Sequence, residues 1–359
     1  MSKRILVLSK YPRMGASSRL RTLQYLPMLE QQGFNFAVHS LFDEAYLNNL
    51  YGTGGRSRLA VLGYYFKRLL TLSTVWRYDL VWIEKELFPY FPAVFEKLLA
   101  VFGVKYIVDY DDAVFHNYDL SNHAVVRKLL GKKIDTVMAN SYCVIAGNAY
   151  LAGRAQAAGA KRIECVPTVI DQSRYAPLTK TKCDSIVIGW IGSPSTQKYI
   201  INIKDALRTV CEKHGAKLLL VGATADIVKD LLGINVEVAA WSEATEVEMI
   251  QRMGVGIMPL PDGPWEKGKC GYKLIQYMAC AVPVIASPVG VNVDIISRSE
   301  CGFLAEGSEQ WIDSLEALLS SPEQREMLGK AGRKAVEKKY SLQVQAPHLA
   351  CIFNSIIKS

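Results

Sequence analysis

Short apolar runs separated by longer segments of helical period recur along this chain. In the first half the runs are Ile5–Ser9, Phe34–Ser40, Leu80–Glu84, Tyr106–Tyr110, Val144–Ala146 and Ile163–Val166. After a polar stretch the pattern restarts with Ile186–Ile191, Leu218–Val221, Val236–Ala239, Gly256–Met258, Val284–Ala286 and Gly302–Leu304. Runs that are apolar nearly throughout predict parallel strands covered on both faces. Strand and helix in alternation predict an α/β fold with helices on both sides of each sheet. The stretch Gln172–Asp184, with Pro177 and repeated Lys and Thr, reads as a linker. The expected architecture is therefore two doubly wound domains, residues 1–175 and 184–341. The segment Leu342–Ile357 reads as a helix, and residues 342–359 are expected to pack back on the first domain. Doubly wound sheets bind ligands at the carboxyl ends of their strands, so the loops there are where chemistry is sought.

Composition narrows the classes. At 359 residues, with 50% hydrophobic and 21% charged residues, disorder as the main state is excluded. The net charge of +8 is unevenly placed: residues 1–178 hold 22 Lys/Arg and 14 Asp/Glu, residues 179–359 hold 20 of each. The first half is expected to meet something anionic. The eight cysteines form no C-x-x-C pair and none has zinc-ligand spacing with His. Scattered thiols and a start without a signal-like apolar run predict a reducing, cytoplasmic setting. No apolar stretch is long enough for a transmembrane helix.

Three loops carry candidate chemistry. Lys10–Arg19 follows the first strand and leads into a helix. Ser17 and Ser18 suit the helix N-cap, and Gly15 allows close backbone approach to a ligand. With Arg19 and Arg21 beside it, this helix start is a candidate anion site. An ordinary cap with surface arginines is the alternative. The fingerprint G-x-G-x-x-G is absent, which argues against a nicotinamide or flavin enzyme. Next, Asp109, Asp111 and Asp112 cluster at the end of an apolar run. Their crowding suits acid/base or electrostatic chemistry; a D-x-D metal site and a solvated capping loop are the other readings.

The richest stretch is Pro259–Ser287: a strand end, a glycine-rich loop, a short helix, Pro283 and a strand. Leu274, Ile275, Met278 and Ala279 are the expected buried stripe, with Lys273 and Gln276 on another face. Amides between Gly268 and Gly271 can wrap a phosphate that Lys267, Lys269 and Lys273 neutralise. Trp241-Ser242 follows another strand and reads as a pocket wall or a core residue. Finally, Arg56–Arg77 holds Arg56, Arg58, Lys67, Arg68 and Arg77 interleaved with Leu59, Leu62, Tyr65, Phe66 and Leu69, without an acid. It reads as a membrane-facing amphipathic segment or as a core helix with a solvated face.

The segment Lys273-Leu-Ile-Gln-Tyr-Met-Ala-Cys-Ala-Val-Pro-Val-Ile-Ala-Ser-Pro-Val-Gly290 resembles the donor-binding segment of the family 4 (group 1) glycosyltransferases with the GT-B fold. Gly189–Lys198, Ala146–Leu151 and Gly15–Arg21 fit a branch of that family, in the right order. The resemblance implies two Rossmann-like domains facing across a cleft. It implies transfer of a sugar from a nucleotide-sugar to a saccharide or lipid-linked acceptor, as in bacterial surface polysaccharide synthesis. Retention of configuration and no essential metal are also implied; no cofactor beyond the nucleotide-sugar is expected, and the thiols and the basic first half predict a cytoplasmic location, peripheral on the inner face of the membrane where the basic half meets lipid.

Residue by residue, Lys198 matches the family's pyrophosphate-binding Lys, and Ser193 stands near the place of its paired Arg. The family has two Glu residues, separated by seven, that contact sugar and ribose; Gly268 and Gln276 occupy those places. Gln276 can still hydrogen-bond ribose hydroxyls. Gly268 offers no side chain, so Glu266 is the candidate substitute. A His of many members aligns with Asp111, followed by Asp112; these would position the acceptor or steady positive charge developing on the sugar. Lys198, Lys269 and Lys273, with the amides of Gly268–Gly271, would stabilise the departing diphosphate. Gly15, Arg19 and Trp241 complete the donor-binding candidates. The missing Glu pair favours, as the alternative, a non-catalytic partner subunit or a glycan- or nucleotide-binding protein. No nucleic-acid motif accompanies the charge, so nucleic acid is not an expected partner.

Overall fold

The computed structural model describes residues 3–52, 58–177 and 186–359. It divides into two units, one of Met1–Val169, Gly268–Cys270 and Leu342–Ser359, the other of Ile170–Lys267 and Gly271–Ser341. Each holds a six-stranded sheet whose strands all run parallel. Residues 178–184 of the stretch read as a linker lie outside the described residues.

In the first unit the strands are β1 (Lys3–Ser9), β2 (Phe34–Ser40), β3 (Leu80–Glu84), β4 (Tyr106–Tyr110), β5 (Cys143–Ala146) and β6 (Ile163–Cys165). Their order is β2-β1-β3-β4-β5-β6. The chain moves from β1 to β2, then crosses back to β3 and continues the other way, so the direction of winding reverses between β1 and β3. Every residue of β3 and β4 is buried, which is why both are apolar runs, whereas the edge strand β2 is largely exposed. The helix Leu342–Lys358 lays Leu342, Ala346, Leu349, Phe353 and Ile356 on this unit's core. Phe353 meets Trp82 edge-on at 5.1 Å and Phe34 at 5.8 Å. Each of the larger side chains, Leu342, Leu349, Phe353 and Ile356, contributes about 1.5–3 kcal/mol on burial.

One expected surface cation is inside this unit. Arg68 is buried and donates to the carbonyls of Ser9 (2.7 Å) and His39 (3.2 Å). Carbonyls at the ends of β1 and β2 need donors where the ladder stops. Burial lowers the Arg68 pKa to about 10.

In the second unit the strands are β7 (Val187–Ile191), β8 (Lys217–Val221), β9 (Val236–Ala239), β10 (Val255–Met258), β11 (Val284–Ala286) and β12 (Gly302–Leu304). Their order, β12-β11-β10-β7-β8-β9, reverses between β7 and β10. The helix Tyr272–Ala279 is covered on more faces than its predicted stripe, since Gln276 and Tyr277 are buried as well. The Tyr277 ring lies over Gly256, where a Cβ would come within 2.4 Å of it. Its hydroxyl accepts from the Ile191 amide (2.9 Å) and donates to the Ile257 carbonyl (3.3 Å). One helix side chain thus reaches the seam between β7 and β10, and only glycine at 256 leaves room for it.

Candidate functional site

In the second unit the loops after β7 and β10 flank the reversal point. Ser193 caps the turn Pro194–Thr196 through a reciprocal capping box with Thr196. Lys198 opens the helix Lys198–Ile201, is exposed, and holds Nζ 5.6 Å from the Tyr199 ring centroid. The Tyr199 hydroxyl donates to Glu266 Oε1 at 2.5 Å, from the other loop. Burial, then the bond to Glu266, pushes the Tyr199 pKa up, so it stays a donor. Tyr199 went unnoticed in the sequence because its partner lies across the seam. Lys273 holds Nζ 5.8 Å from the Trp190 ring of β7. Lys267, another expected phosphate ligand, is 3.1 Å from Asp262. The structure thus joins Lys198, Glu266 and Tyr199 through one contact chain and seats Lys273 on β7.

Gln276 is turned inward. Its Nε2 donates to the Tyr175 hydroxyl (3.1 Å) and Glu246 Oε2 (3.3 Å). Glu246, also buried, accepts from the Tyr175 hydroxyl (2.7 Å) and from Trp241 Nε1 (3.0 Å). Trp241 keeps 39% of its surface exposed. Gln276 therefore braces the carboxylate that holds Trp241. Tyr175 and Glu246 offered no signal in sequence, because neither sits in a motif.

The loop expected to cradle phosphate is divided. Gly268–Cys270 groups with the first unit, whereas Lys267 and Gly271 belong to the second. Asn148 caps the helix Ala149–Ala157 by accepting from the Leu151 amide, and its Nδ2 donates to the carbonyls of Gly268 (3.0 Å) and Lys269 (2.9 Å). Cys270 Sγ donates to the Asp111 carbonyl at 3.1 Å. A Cβ at Gly268 would stand 2.6 Å from the Ala113 amide nitrogen, and Gly271 has φ +66°. Packing requires the first glycine and a left-handed turn the second. Asn148 lies in the stretch Ala146–Leu151 already singled out, but its partners were not legible there.

In the first unit the reversal point between β1 and β3 is filled with charge. Glu84 Oε2 accepts from the Lys10 amide (2.8 Å) and from the Ser18 hydroxyl (2.6 Å). Lys85 is buried with φ +65°; its Nζ lies 2.8 Å from Asp111 Oδ1, 3.9 Å from Asp112 Oδ2 and 3.0 Å from Ser17 Oγ. A non-glycine residue in this backbone region stores strain, a common feature of functional sites. Burial alone would raise the Asp111 pKa, but Lys85 and Arg21 hold it below the ordinary carboxylate range. Burial and the Lys85 charge push the Lys10 ammonium down. Asp109 belongs to a different pair: Arg21 Nε donates to its Oδ1 at 2.8 Å, both groups fully inside, and burial lifts Asp109 to about 6 despite Arg21. Lys85 was missed because it looked like one polar residue after a strand.

These facts correct the reading of the first loop. The helix is Ala16–Arg21, its N-cap is Gly15, and no side chain caps it. Ser17 and Ser18 lie within the helix because Lys85 and Glu84 claim their hydroxyls. The space Gly15 leaves is taken by Tyr11, whose Cβ would lie 2.5 Å from an added Cβ. Arg21 is structural, and the buried Arg19 donates to the Arg13 carbonyl (3.1 Å). Among the described residues no group of three or more His, Cys, Asp or Glu side chains is placed to hold a metal ion. In the second unit a cleft of about 600 Å³ opens beyond β10, β11 and β12, bordered by Pro259, Asp262, Ser287, Glu306 and Trp311. No donor-binding candidate lines it.

Two doubly wound parallel sheets in one chain, with ligand-type loops at both reversal points, define a GT-B-like fold. Solved structures agree: sucrose-phosphate synthase from Thermosynechococcus elongatus superposes with a TM-score of 0.76 over 99% of both chains at 15% identity. HepE from Anabaena in complex with UDP-glucose superposes with a TM-score of 0.69 over 98% of this chain and 99% of its own, at 16% identity. Residues 177–335 match the family model of the glycosyl transferases group 1. It is 26% identical over 185 residues to the capsular polysaccharide biosynthesis glycosyltransferase CapM of Staphylococcus aureus, covering 49% of this chain and 47% of CapM. It is 33% identical over 81 residues to spore coat protein SA of Bacillus subtilis, 22% of each. The matched part thus spans about half or less of these relatives' lengths.

Proposed function

We propose that this protein transfers a sugar from a nucleotide-sugar, with retention, to a saccharide or lipid-linked acceptor in surface polysaccharide synthesis at the cytoplasmic face of the membrane. The observation that carries the reading is the arrangement in the second unit, inside the stretch matching the family: Lys198, Tyr199 and Glu266 in one contact chain, and Lys273 on Trp190. Two ammonium groups at the carboxyl ends of strands suit a diphosphate whose charge grows as the sugar leaves. Glu266, oriented by Tyr199, suits a sugar hydroxyl. Trp241 offers an aromatic face to the base, held by Glu246 and Gln276. The amides opening the helix Tyr272–Ala279 add partial positive charge. Support for the donor class comes from the UDP-glucose complex of HepE, and for the pathway from the name of CapM. In the first unit Asp111, kept ionised by Lys85, is the group for the acceptor hydroxyl or the developing positive charge, with Asp112 beside it.

Release of nucleoside diphosphate from a panel of nucleotide-sugars, with the product anomer read by nuclear magnetic resonance, tests this. Turnover with the donor's anomeric configuration kept supports the proposal. Tight nucleotide binding without release under any acceptor supports the second reading, a non-catalytic partner subunit. That reading draws on Gly268, which packs on Ala113, and on Gln276, which faces inward, where the family has its Glu pair.

A further inference from the structure

Lys10 is the first residue after β1, at the reversal point of the first unit. Its backbone is tied on both sides. The amide donates to Glu84 Oε2 (2.8 Å), and the carbonyl accepts from the Phe42 amide (3.1 Å). Tyr11, the next residue, is held as well. Its amide donates to Ser18 Oγ (3.1 Å), and its ring lies 5.7 Å from that of the buried Phe42. The Lys10 ammonium stands 5.5 Å from the Tyr11 ring centroid. A side chain that starts from fixed backbone and rests on a fixed ring sweeps only a short arc, so little freedom is left to lose when a ligand arrives.

Three buried cations at this end of the sheet are matched one to one with carboxylates. Lys85 meets Asp111 at 2.8 Å, Arg21 meets Asp109 at 2.8 Å, and Lys133 meets Glu86. Lys10 has an aromatic face instead, and it makes no ion pair with a described residue. The two acids that attract it, Glu84 and Glu86, are buried and engaged elsewhere. Glu84 Oε2 takes the Lys10 amide and the Ser18 hydroxyl; Glu86 takes Lys133 and the Tyr118 hydroxyl. Lys85 and Lys133 repel the Lys10 ammonium. The side chain is half-buried, and burial, then the Lys85 charge, lowers its pKa. An ammonium drawn from water without a counterion is costly, and an anion placed beside it removes that cost.

We propose that Lys10 is a specificity-determining residue of the first unit, whose ammonium recognises an oxyanion, carboxylate or phosphate, carried by the acceptor. The proposal deepens the transferase reading and rests on it for the acceptor. Lys10 follows β1, and Lys85, which holds Asp111, follows β3; these strands flank the reversal point. An oxyanion on Lys10 with a hydroxyl at Asp111 fixes the acceptor at two places, and two places decide which hydroxyl is presented. A uronic acid within a saccharide and a phosphate joining a sugar to a lipid offer the same chemistry to an ammonium.

Acceptors matched in pairs test this: phenyl glucuronide against phenyl glucoside, and an alkyl-phosphate-linked sugar against the alkyl glycoside. In the transfer assay the charged member of at least one pair should have an acceptor KM about tenfold or more below its neutral counterpart. Preference within the first pair assigns the oxyanion to the saccharide, and within the second to the lipid linkage. Lys10→Met should raise the KM of the charged member about tenfold or more and that of the neutral member far less, and Lys10→Arg should restore most of the preference. A thermal melt verifies that both variants are folded. Lysine 15N nuclear magnetic resonance of the full chain gives a readout without turnover. The Lys10 ammonium signal, assigned by its loss in Lys10→Met, should move with phenyl glucuronide or an alkyl phosphate and stay in place with phenyl glucoside. No charge preference in either pair, equal effects of Lys10→Met on charged and neutral acceptors, loss of nucleoside-diphosphate affinity in Lys10→Met, or a Lys10 signal indifferent to both anions would each overturn the proposal. An anion-responsive Lys10 in a chain that transfers no sugar would sink the transferase reading and leave the anion site standing; turnover without charge preference would do the reverse.

Discussion

The two units share a sheet architecture and fill its reversal points with opposite chemistry. Between β1 and β3, Glu84, Lys85, Ser17, Ser18 and Asp111 interlock, largely out of water, and burial and neighbouring charge shift Lys85 and Asp111 from their ordinary values. Between β7 and β10, Lys198 and Lys273 sit against aromatic faces with more of their surface open to solvent. Neutralised, buried charges define a fixed shape and a fixed protonation state. A cation on a ring with solvent beside it, as at Lys198, keeps its field available to an arriving anion. Under the proposed function the first point would serve a neutral hydroxyl or a transient cation, the second a diphosphate.

The most severe way to break this contrast is to remove the foundation of the first point. Asp109→Ala leaves the Arg21 guanidinium buried without its carboxylate, and we expect a loss of about 3–5 kcal/mol in stability, read by denaturant unfolding. A loss under about 1 kcal/mol would mean that Arg21 is hydrated and that the first point is not dry.

Next in size is the donor side. Lys198→Ala and Lys273→Ala should each weaken nucleoside-diphosphate binding by about 1.5–3 kcal/mol in calorimetry, with melting temperature nearly unchanged. Unchanged affinity in both would remove these lysines from the site and erase the contrast.

Asp111→Asn should leave nucleotide affinity intact while turnover falls at least tenfold, about 1.4 kcal/mol of barrier. Equal loss of nucleotide affinity would place Asp111 in donor binding instead.

The finest test concerns pH. The folded Asp111 pKa is held down by Lys85, so the pair's stabilisation is complete above the unfolded carboxylate value of about 3.9 and disappears as pH falls through the lower folded value. In Lys85→Met the largest opposition to burial is gone, leaving only Arg21 and Ser17, so the Asp111 pKa rises. The acid limb of kcat/KM should then move to higher pH, and stability at neutral pH should fall. A pH–rate profile that does not move would mean that Lys85 does not set the ionisation of Asp111.

Much of the fold was legible before any tertiary contact. All twelve strands lie within a residue or two of the apolar runs, because a parallel strand covered on both faces leaves an unbroken apolar signature. The C-terminal helix was legible from its stripe, Leu342, Ala346, Leu349, Phe353 and Ile356. The segment Gly268–Lys273 showed itself as glycines and lysines between apolar elements. Ser17 and Ser18 were misread as caps because a cap preference is local, whereas their hydroxyls answer to Lys85 and Glu84, far along the chain.

By itself, then, the sequence determined what depends on neighbours in the chain: the alternation of strand and helix, the two sheets, and the segment that resembles the group 1 glycosyl transferases. Tertiary structure alone decided which charges are used up and which remain open. It turned Gln276 toward Glu246, drew Arg68 onto the ends of β1 and β2, bound Gly268 to Asn148, and set Lys85 between two aspartates. The reason is physical. Periodicity reports burial averaged over a segment, but the cost of burying a particular charge depends on the single partner that meets it, and that partner comes from another strand.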